Sequence, residues 1–259
     1  MNKKVKKFLS KKNKTKVICL TAYSKNIASI LDKHCDLVLV GDSLGSVLYA
    51  YKSTKEVTLN TMINHSKSVR LGVKKALMVV DMPYNTYRNS KEALKNARLV
   101  MKKTNCDAIK LEGGKKIISI VKSLVKNNIP VMGHLGILPQ TEKKFTYKGK
   151  KLTERNRIFK DAKLLEEAGI FSLVLECIET KLAKKITEQL NIITVGIGSS
   201  VNCDGQVLVM DDLIGLSQSK LRFVKKYANT SKIINSAVKK YKFEVLNKQF
   251  PKAKHSFKN

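Results

Sequence analysis

The chain of 259 residues is poor in the features that mark fibrous, membrane and linker proteins. It has no Trp and only four Pro, and its 13 Gly follow no period, which excludes a collagen-like or low-complexity chain. No apolar run approaches the roughly 18 residues that a membrane-spanning helix requires. The first residues, MNKKVKKFLSKKNKTK, are basic but lack the apolar stretch of a secretory signal. We therefore expect a globular, cytoplasmic protein with an aliphatic core.

Cysteine is also scarce, and its spacing excludes a structural zinc site. The cysteines form no CxxC pair, and the four His lie far apart in the sequence. An odd number of thiols, several of them next to apolar segments, is typical of buried free cysteines in a reducing compartment. The five residues concerned are Cys19, Cys35, Cys106, Cys177 and Cys203.

Arginine is scarce although the chain is strongly basic. Lys and Arg total 51 against 20 Asp and Glu, a formal charge of +31, but only 6 of the 51 are Arg. Arg is the side chain that reads guanine edges and binds phosphate in a bidentate manner. The Lys residues are scattered along the whole chain, so we interpret the excess charge as a solvated surface and expect no specific nucleic-acid partner. The alternative, a basic nucleic-acid-binding protein without catalysis, would show binding that falls steeply with salt.

Eight short apolar runs rich in β-branched residues alternate with longer segments of helical periodicity. In one such segment Ala93, Leu94, Ala97 and Val100 recur at spacings of three and four, and Asn60 is favoured as the start of another helix. The apolar runs are VICLT (17–21), DLVLVG (36–41), ALMVVD (76–81), DAIKLEG (107–113), IPVMGH (129–134), FSLVLE (171–176), IITVGIG (192–198) and QVLVM (206–210).

This alternation predicts an α/β protein built on a parallel sheet that is covered on both faces. Eight strands within about 200 residues close most economically into a (β/α)8 TIM barrel. The rival, a doubly wound open sheet, is disfavoured because no GxGxxG follows the first strand. We predict one barrel domain over residues 1–259, with a basic N-terminal segment over about 1–15 and a frayed, Lys-rich tail over about 242–259.

Ionisable side chains stand at the C-terminal ends of five of the predicted strands. In a barrel those ends meet at one mouth, which is the face where the chemistry of this fold is found. One such residue alone could be an ordinary capping group, but five strands carrying them together favour a functional site. The residues are Asp42, Asp81, Lys110 with Glu112, His134 and Glu176.

The types of these residues indicate a metal site for an anionic substrate. Asp42, Asp81 and Glu112 offer oxygen ligands without Cys or paired His, which favours a hard cation, Mg²⁺ before Ca²⁺. Lys110 lies two residues before Glu112 and so on the same side of its strand. A divalent ion beside an ammonium would bind a small chelating anion such as a 2-oxo acid. Glu176, from a strand across the barrel, is the candidate general base.

Six segments with a distinctive order and spacing carry the motifs GDS-LG, DMP, KLEGG, GH-G-PQ and DGQVLV. They are LVGDSLGSVLYAYKSTKEVTLNTMINHSKSV, VVDMPYNTY, AIKLEGG, IPVMGHLGILPQT, LEEAGIFSLVLECI and VGIGSSVNCDGQVLVMDDLIGL. Barrels at large do not share this combination. Over roughly residues 17–230 the chain resembles the ketopantoate hydroxymethyltransferase family.

The resemblance implies a (β/α)8 barrel, a bound Mg²⁺, 5,10-methylenetetrahydrofolate as the one-carbon co-substrate, and a homodecamer. The implied reaction transfers a hydroxymethyl group from the folate to 3-methyl-2-oxobutanoate through a Mg-stabilised enolate. The product would be 2-dehydropantoate (ketopantoate), in the first committed step towards pantothenate and coenzyme A.

The resemblance also implies a role for each matching position. Asp42 and Asp81 would bind the metal, with Glu112 completing its shell directly or through water. Glu176 would accept the proton from C3 of the substrate. The substrate itself would contact Asp42, Ser43, Asp81, Lys110 and His134.

The chain departs from the family pattern in three places. TEKKFTYKGKK (141–151) stands where the family has a Gly-rich stretch, GIGSS (196–200) replaces GIGAG, and Asp211-Asp212 stand in place of a His-Asp pair. None of these departures falls on the predicted metal or base positions. Folate contacts cannot be assigned from the sequence.

Three alternative interpretations stay open at this point. Gly196, Gly198 and Gly205 could cradle a phosphate, although a bend at the barrel mouth explains them equally well. Tyrosines could stack on a pterin or be ordinary packing residues; they are Tyr23, Tyr49, Tyr51, Tyr84 and Tyr87. The alternative function is that of another Mg-dependent 2-oxo-acid lyase or mutase of the isocitrate lyase and phosphoenolpyruvate mutase type. KLEGG and GH-G-PQ favour the transferase, and no KKCGH-like catalytic Cys is present.

Overall fold

A computed structural model describes residues 2–142 and 146–257, and in it each predicted apolar run overlaps one strand. Most boundaries differ from the predicted ones by one or two residues, and β5 continues past His134. The strands are β1 (Val17–Thr21), β2 (Leu37–Val40), β3 (Leu77–Asp81), β4 (Ala108–Glu112), β5 (Val131–Gly136), β6 (Ser172–Glu176), β7 (Ile193–Ile197) and β8 (Gly205–Leu208).

The eight strands are parallel and pair in sequence order, and β1 also pairs with β8, so the sheet closes into a barrel. This confirms the predicted (β/α)8 barrel. The helices are α1 (Lys3–Leu9), α2 (Lys25–Leu31), α3 (Leu44–Tyr49), α4 (Leu59–Gly72), α5 (Ser90–Thr104), α6 (Ile118–Lys126), α7 (Leu152–Glu167), α8 (Thr180–Gln189), α9 (Met210–Leu213) and α10 (Thr230–Leu246). Short 3₁₀ helices cover Thr54–Glu56, Lys115–Ile117 and Ala253–His255.

Helix α5 shows how local sequence sets an element between two strands. The side chain of Asn89 accepts a hydrogen bond from the backbone N–H of Glu92 and so caps the first turn. Ala93, Ala97 and Val100 are buried as their spacing predicts, and Asn105 ends the helix in the left-handed conformation. Helix α4, by contrast, is capped by the side chain of Thr58, so the predicted start at Asn60 was two residues late.

The barrel interior is built from alternate residues of each strand, because successive side chains of a strand point to opposite faces. Its lower part is apolar, and the buried cluster includes Leu37, Leu77, Ala108, Met132 and Ile193. Helix α1 covers the N-terminal end of the barrel by adding Val5 and Phe8 to the same cluster. The N-terminal half of the barrel interior is therefore filled by buried apolar side chains.

The basic N-terminal segment is tied to the N-terminal end of the barrel by ion pairs. Lys11 Nζ lies 2.5 Å from Asp36 Oδ1, and Lys12 Nζ lies 2.8 Å from Asp204 Oδ2. The second of these pairs is largely buried. Two of the lysines of the N-terminal segment are therefore paired with aspartates that directly precede β2 and β8.

Two compact units divide the chain after Val209. The first contains the barrel with α1 to α8, and the second contains α9 and α10. Residues 242–246 of the predicted tail belong to helix α10. The prediction of one domain over residues 1–259 stays a prediction, as do its N-terminal segment and tail boundaries.

All five cysteines are buried and free in the structure. Among the described residues, no helix is both long and apolar enough to cross a membrane.

Candidate active site

The ionisable residues at the barrel mouth continue the inward-facing rows of the strands. In β3, Leu77 and Val79 belong to the apolar interior and Asp81 is the next residue of the same row; in β6, Val174 is followed in this way by Glu176. The structure thus brings together five strand ends, and every residue in this group is at most 8% exposed. The group, called the mouth cluster below, consists of Asp42, Asp81, Lys110, Glu112, His134 and Glu176.

Lys110 and Asp81 form the central ion pair of the mouth cluster. They are register partners on β4 and β3, and Lys110 Nζ donates to Asp81 Oδ1 over 2.8 Å. Burial alone would lower the pKa of Lys110, but the charges of Asp81, Glu112 and Asp42 outweigh it and raise that pKa. The ammonium therefore stays charged at any physiological pH.

Asp42 lies beyond the end of β2 and is held against β3. Its backbone N–H donates to Asp81 Oδ2 over 3.1 Å. Burial raises the pKa of Asp42 well above its usual range, and the negative charges of Asp81 and Glu112 raise it further against the opposing effects of Lys110 and Gln140. The carboxylates here repel one another more than the protein's own cations can compensate.

His134 lies between two carboxylates from the neighbouring strands. Its Nδ1 is 3.4 Å from Glu112 Oε1 and its Nε2 is 3.1 Å from Glu176 Oε2. Burial and Lys110 lower the pKa of His134, but Glu112 and Glu176 outweigh them and raise it to about 9. Burial alone would raise the pKa of Glu112. The hydrogen bond and charge of His134, the charge of Lys110 and the Gln140 N–H outweigh burial and lower that pKa below its usual value.

Gln140 and Tyr87 also belong to the site, and they lie within the GH-G-PQ and DMPYNTY segments. The sequence predicted no role for Gln140 and offered Tyr87 only as a pterin-stacking or packing residue. Gln140 is 1% exposed, and its Nε2 donates to Asp42 Oδ2 over 2.8 Å. Tyr87 donates its O–H to Gln140 Oε1 and accepts from the backbone N–H of Glu112. Both residues come from loops after strands, where hydrophobic periodicity carries no signal; only their place in the quoted motifs could have pointed to them.

Ser43 lies next to Asp42 at the start of α3 and is half-buried. Its hydroxyl is 2.8 Å from the hydroxyl of Tyr23. The main-chain carbonyl of Tyr23 is 2.8 Å from Nδ1 of His65, whose Nε2 is 2.9 Å from the hydroxyl of Tyr49. The rings of Tyr49 and Tyr51 stack with centroids 5.3 Å apart. Two of the predicted tyrosines thus pair with each other, and no ligand role follows from this contact alone.

Packing explains Gly205, one of the three glycines that could cradle a phosphate, and also Gly136. Gly136 has φ of +106°, and a Cβ there would lie 2.0 Å from the carbonyl oxygen of Glu176, so β5 and β6 meet closely at the base residue. At Gly205 a Cβ would lie 2.2 Å from a methyl carbon of Val17, so close strand contact explains this glycine without a phosphate.

Part of the divergent segment 141–151 falls on residues 143–145, which lie outside the described residues. Within this segment, Glu142 Oε2 is 2.6 Å from Lys148 Nζ. Lys148 also donates its backbone N–H to the carbonyl of Cys177 over 2.8 Å. The segment is thus attached next to Glu176 at its C-terminal end.

The charges of the mouth cluster fit a divalent cation. Four carboxylates face one ammonium and one imidazolium, so two negative charges are uncompensated when all are ionised. In the described part of the chain, no group of three or more His, Cys, Asp or Glu side chains is arranged to hold a metal ion. Mg²⁺, however, is usually bound by only one or two carboxylates and completes its shell with water and substrate oxygens. The neighbouring Asp42 and Asp81 suit that mode of binding.

Comparison with known proteins shows similarity along nearly the whole chain. Residues 2–253 match the family model described as ketopantoate hydroxymethyltransferase. A 3-methyl-2-oxobutanoate hydroxymethyltransferase of Pelagibacter ubique is 66% identical over 257 residues, which are 99% of this chain and 100% of the relative. The protein of the same name in Rhizobium etli is 46% identical and covers 93% of this chain and 90% of its own length.

Solved structures resemble the chain in fold at low sequence identity. A phosphonopyruvate hydrolase in complex with oxalate and Mg²⁺ has a TM-score of 0.62 at 9% identity and covers 97% of this chain and 93% of its own. An oxaloacetate acetylhydrolase in complex with the inhibitor 3,3-difluorooxalacetate has a TM-score of 0.60 at 10% identity and covers 96% and 98%. At such identities the likeness shows the fold alone.

The position of His134 between two carboxylates predicts its titration. Its folded pKa of about 9 exceeds the ordinary value of 6.5, so the stability it contributes is fully present below pH 6.5 and is lost as the pH rises through 9. In an NMR titration of the metal-free protein, the imidazole of His134 should change protonation near pH 9. The variant His134→Gln identifies its resonances. A midpoint near 6.5 would show that Glu112 and Glu176 do not hold this proton.

Proposed function

The chain belongs to the ketopantoate hydroxymethyltransferase family, and from that premise we propose that the mouth cluster carries out the family's reaction. The activity is hydroxymethyl transfer to 3-methyl-2-oxobutanoate. The observation that supports this assignment most directly is the convergence of Asp81, Lys110, His134 and Glu176 from four neighbouring strands at one buried mouth. The likeness to the phosphonopyruvate hydrolase and the oxaloacetate acetylhydrolase extends only to the fold, so no observation favours the alternative function, that of a lyase or mutase.

We propose Mg²⁺ as the metal, with Asp42 and Asp81 as its ligands and Glu112 in its shell directly or through water. The uncompensated negative charge of the mouth cluster supports a divalent ion, and the all-oxygen donor set supports a hard one. When bound, Mg²⁺ would act as a Lewis acid that withdraws charge from the 2-oxo acid and so would make its C3–H more acidic.

The chain's own residues would hold the substrate in one orientation. The ammonium of Lys110 is already fixed by Asp81 and offers a charged donor to the substrate carboxylate. Ser43, next to Asp42, would contribute a backbone N–H to the same group. His134, charged at neutral pH, would lie beside the bound oxo acid as a further donor. Burial of the two charged groups, Lys110 and His134, strengthens their contacts with the substrate, since the surroundings have a low dielectric constant.

Glu176 would act as the general base. Its Oε2 lies 3.1 Å from Nε2 of His134, and this contact holds the carboxylate at the mouth, where it can accept a proton from the substrate. The C3–H bond of the substrate breaks, the proton passes to Glu176, and the electron pair left on C3 attacks the one-carbon unit. We propose 5,10-methylenetetrahydrofolate as the donor of that unit. The two C–N bonds that hold its methylene carbon break as that carbon forms bonds to C3 and to the oxygen of a water molecule. Tetrahydrofolate then leaves with the proton taken from C3 and one proton of that water on its two nitrogens.

The remaining proposals concern the surroundings of the enzyme. Buried free thiols are consistent with a reducing, cytoplasmic compartment. The partners proposed are the small 2-oxo acid and the folate, with no specific nucleic acid and no membrane. The product, ketopantoate, would enter pantothenate and coenzyme A synthesis.

The proposed reaction is tested by metal removal. Purified protein with 3-methyl-2-oxobutanoate, 5,10-methylenetetrahydrofolate and Mg²⁺ should form ketopantoate, and excess EDTA should abolish the product until Mg²⁺ is restored. Ketopantoate is measured by mass spectrometry. Folded protein that binds Mg²⁺ but makes no ketopantoate would contradict the proposal, and cleavage of 2-oxo-acid-forming substrates would then be tested.

The proposed base is tested by Glu176→Gln. This change keeps the size of the side chain but removes the proton acceptor, so kcat should fall by about 100-fold or more while substrate affinity is retained. Glu188→Gln is the matched control, because Glu188 is an exposed carboxylate on α8 and its loss should leave kcat unchanged. Steady-state kinetics and calorimetric binding of the 2-oxo acid provide the two measurements. Unchanged turnover in Glu176→Gln would remove this residue from the base role.

We also propose that the chain forms a homo-oligomer, a decamer as the family resemblance implies. Helix α10 carries an apolar stripe at spacings of four, three and four: Ile234, Val238, Tyr241 and Val245, each at least 42% exposed. An exposed stripe of this kind is typical of a helix that packs against a partner, and the proposed partner is a second copy of the chain.

The oligomer proposal predicts opposite results for two matched charge insertions. Val238→Lys places an ammonium in the stripe and should lower the assembly mass measured by light scattering. Ser236→Lys places the same charge on the opposite, exposed side of α10 and should leave the mass unchanged. Equal masses for both variants and the unmodified chain would show that this stripe is not an interface.

A further inference from the structure

Gln140 is a buried amide that contacts groups from three strand ends, and the proposed reaction gives it no task. It lies in the loop after β5 and is 1% exposed. Its Nε2 donates to Asp42 Oδ2 over 2.8 Å and to the carbonyl of Met82 over 2.9 Å. Its backbone N–H donates to Glu112 Oε2 over 3.1 Å. One residue therefore touches the ends of β2, β3 and β4 from a loop that follows β5.

The partners of Gln140 leave its amide only one orientation. The Met82 carbonyl can only accept a hydrogen bond, so the nitrogen of the amide must face it and the adjacent Asp42 Oδ2. On the opposite side, burial raises the pKa of Tyr87 and nearby Glu112 raises it further, so the phenol keeps its proton and donates it to Gln140 Oε1. Both amide hydrogens and the amide oxygen are thus paired.

These contacts fix a distance that the barrel itself does not fix. Strands β2 and β4 are not neighbours, because β3 lies between them, so no backbone pairing relates Asp42 to Glu112. Gln140 binds both carboxylates at once, the first through its side chain and the second through its backbone N–H. Each carboxylate receives a donor that carries no net charge, so their positions are set without neutralising the charge that would bind a cation.

We propose that Gln140 is a positioning residue for the cation site, holding Asp42 in register with Asp81 and Glu112 while Tyr87 keeps its amide correctly oriented. The inference rests on the proposed function, since it takes Asp42 as a ligand of a divalent ion. Loss of a partner that orients a metal ligand typically weakens metal affinity by about 10–100-fold. We expect a change of that size when the amide is removed.

The test compares Mg²⁺ binding by metal-free, full-length protein and its variants, measured by calorimetry without substrate. Gln140→Met has a similar shape but no donor and should raise the Kd for Mg²⁺ by about 10–100-fold. Tyr87→Phe keeps the amide but frees its orientation and should raise the Kd by a smaller factor. The double variant should be no weaker than Gln140→Met alone, because both changes act on one hydrogen-bond network.

Kinetics provide a second measurement that a purely structural role would not produce. In Gln140→Met the Mg²⁺ concentration for half-maximal rate should rise by the same factor as the Kd, whereas kcat at saturating Mg²⁺ should change little. Gln206→Met is the matched control. Gln206 is an exposed residue of β8 whose Nε2 donates to the carbonyl of Ser200, and loss of this amide should leave Mg²⁺ binding unchanged. Urea unfolding of each metal-free variant checks that the barrel is intact.

The outcomes separate this inference from the proposed function. If the unmodified chain binds Mg²⁺ and makes ketopantoate, but Gln140→Met and Tyr87→Phe bind Mg²⁺ equally well, only the role of Gln140 is overturned. Should Gln140→Met fail to fold, an unchanged Kd in Tyr87→Phe would overturn it in the same way. If the unmodified chain binds Mg²⁺ with the expected dependence on Gln140 but makes no ketopantoate, the proposed function fails and the positioning role stands. A chain that binds no Mg²⁺ would overturn both.

Discussion

The ion pair between Lys110 and Asp81 is the interaction on which the rest of the site depends. Both partners lie inside the barrel, where an isolated charge would cost several kcal/mol, and their charged atoms lie 2.8 Å apart. Removing either one would leave the second charge buried without compensation, which is far more destabilising than losing an exposed pair. The strand register brings them together, because Asp81 and Lys110 are direct partners of β3 and β4. The same hydrogen-bonded sheet that forms the barrel therefore holds in place the ammonium that we propose binds the substrate carboxylate.

The apolar lower barrel and the charged mouth have a common origin in the two-residue period of the strands. Residues such as Leu77, Val79 and Asp81 belong to one inward-facing row, in which the side chain changes from apolar to ionised at the C-terminal end. Helix α1 closes the opposite end with Val5 and Phe8, which are buried in the same apolar cluster. This arrangement gives the mouth a low dielectric constant on its inner side. Interactions with a bound anion are stronger there than they would be in water.

The sequence was sufficient to predict the barrel and the members of the mouth cluster, and the physical reason is that both are periodic features. A run of apolar residues indicates a buried strand, and a residue such as Glu176 is predicted at the barrel mouth because it ends such a run. Gln140 and Tyr87 could not be placed in this way, because their contacts are made from loops to residues 25 to 98 positions away. Asn60 was predicted as a helix start although the side chain of Thr58 provides the cap, since a capping side chain must be identified one position before the periodic pattern begins. His134 was expected at a strand end but lies within β5, because the glycines around it hide the length of that strand.

The signs of the charges alternate around the mouth, and this order explains how so many ionisable groups can stay buried. Passing from β3 to β6, the side chains are negative Asp81, positive Lys110, negative Glu112, positive His134 and negative Glu176. Each internal member of this row has an opposite charge on a neighbouring strand, so attraction offsets much of the cost of burial. Asp42 stands outside the row, next to Asp81, and its pKa is raised because burial and the nearby carboxylates act on it without a cation of its own. The unbalanced charge is thus concentrated where Asp42 meets Asp81, and this is the point at which a divalent cation would complete the alternation.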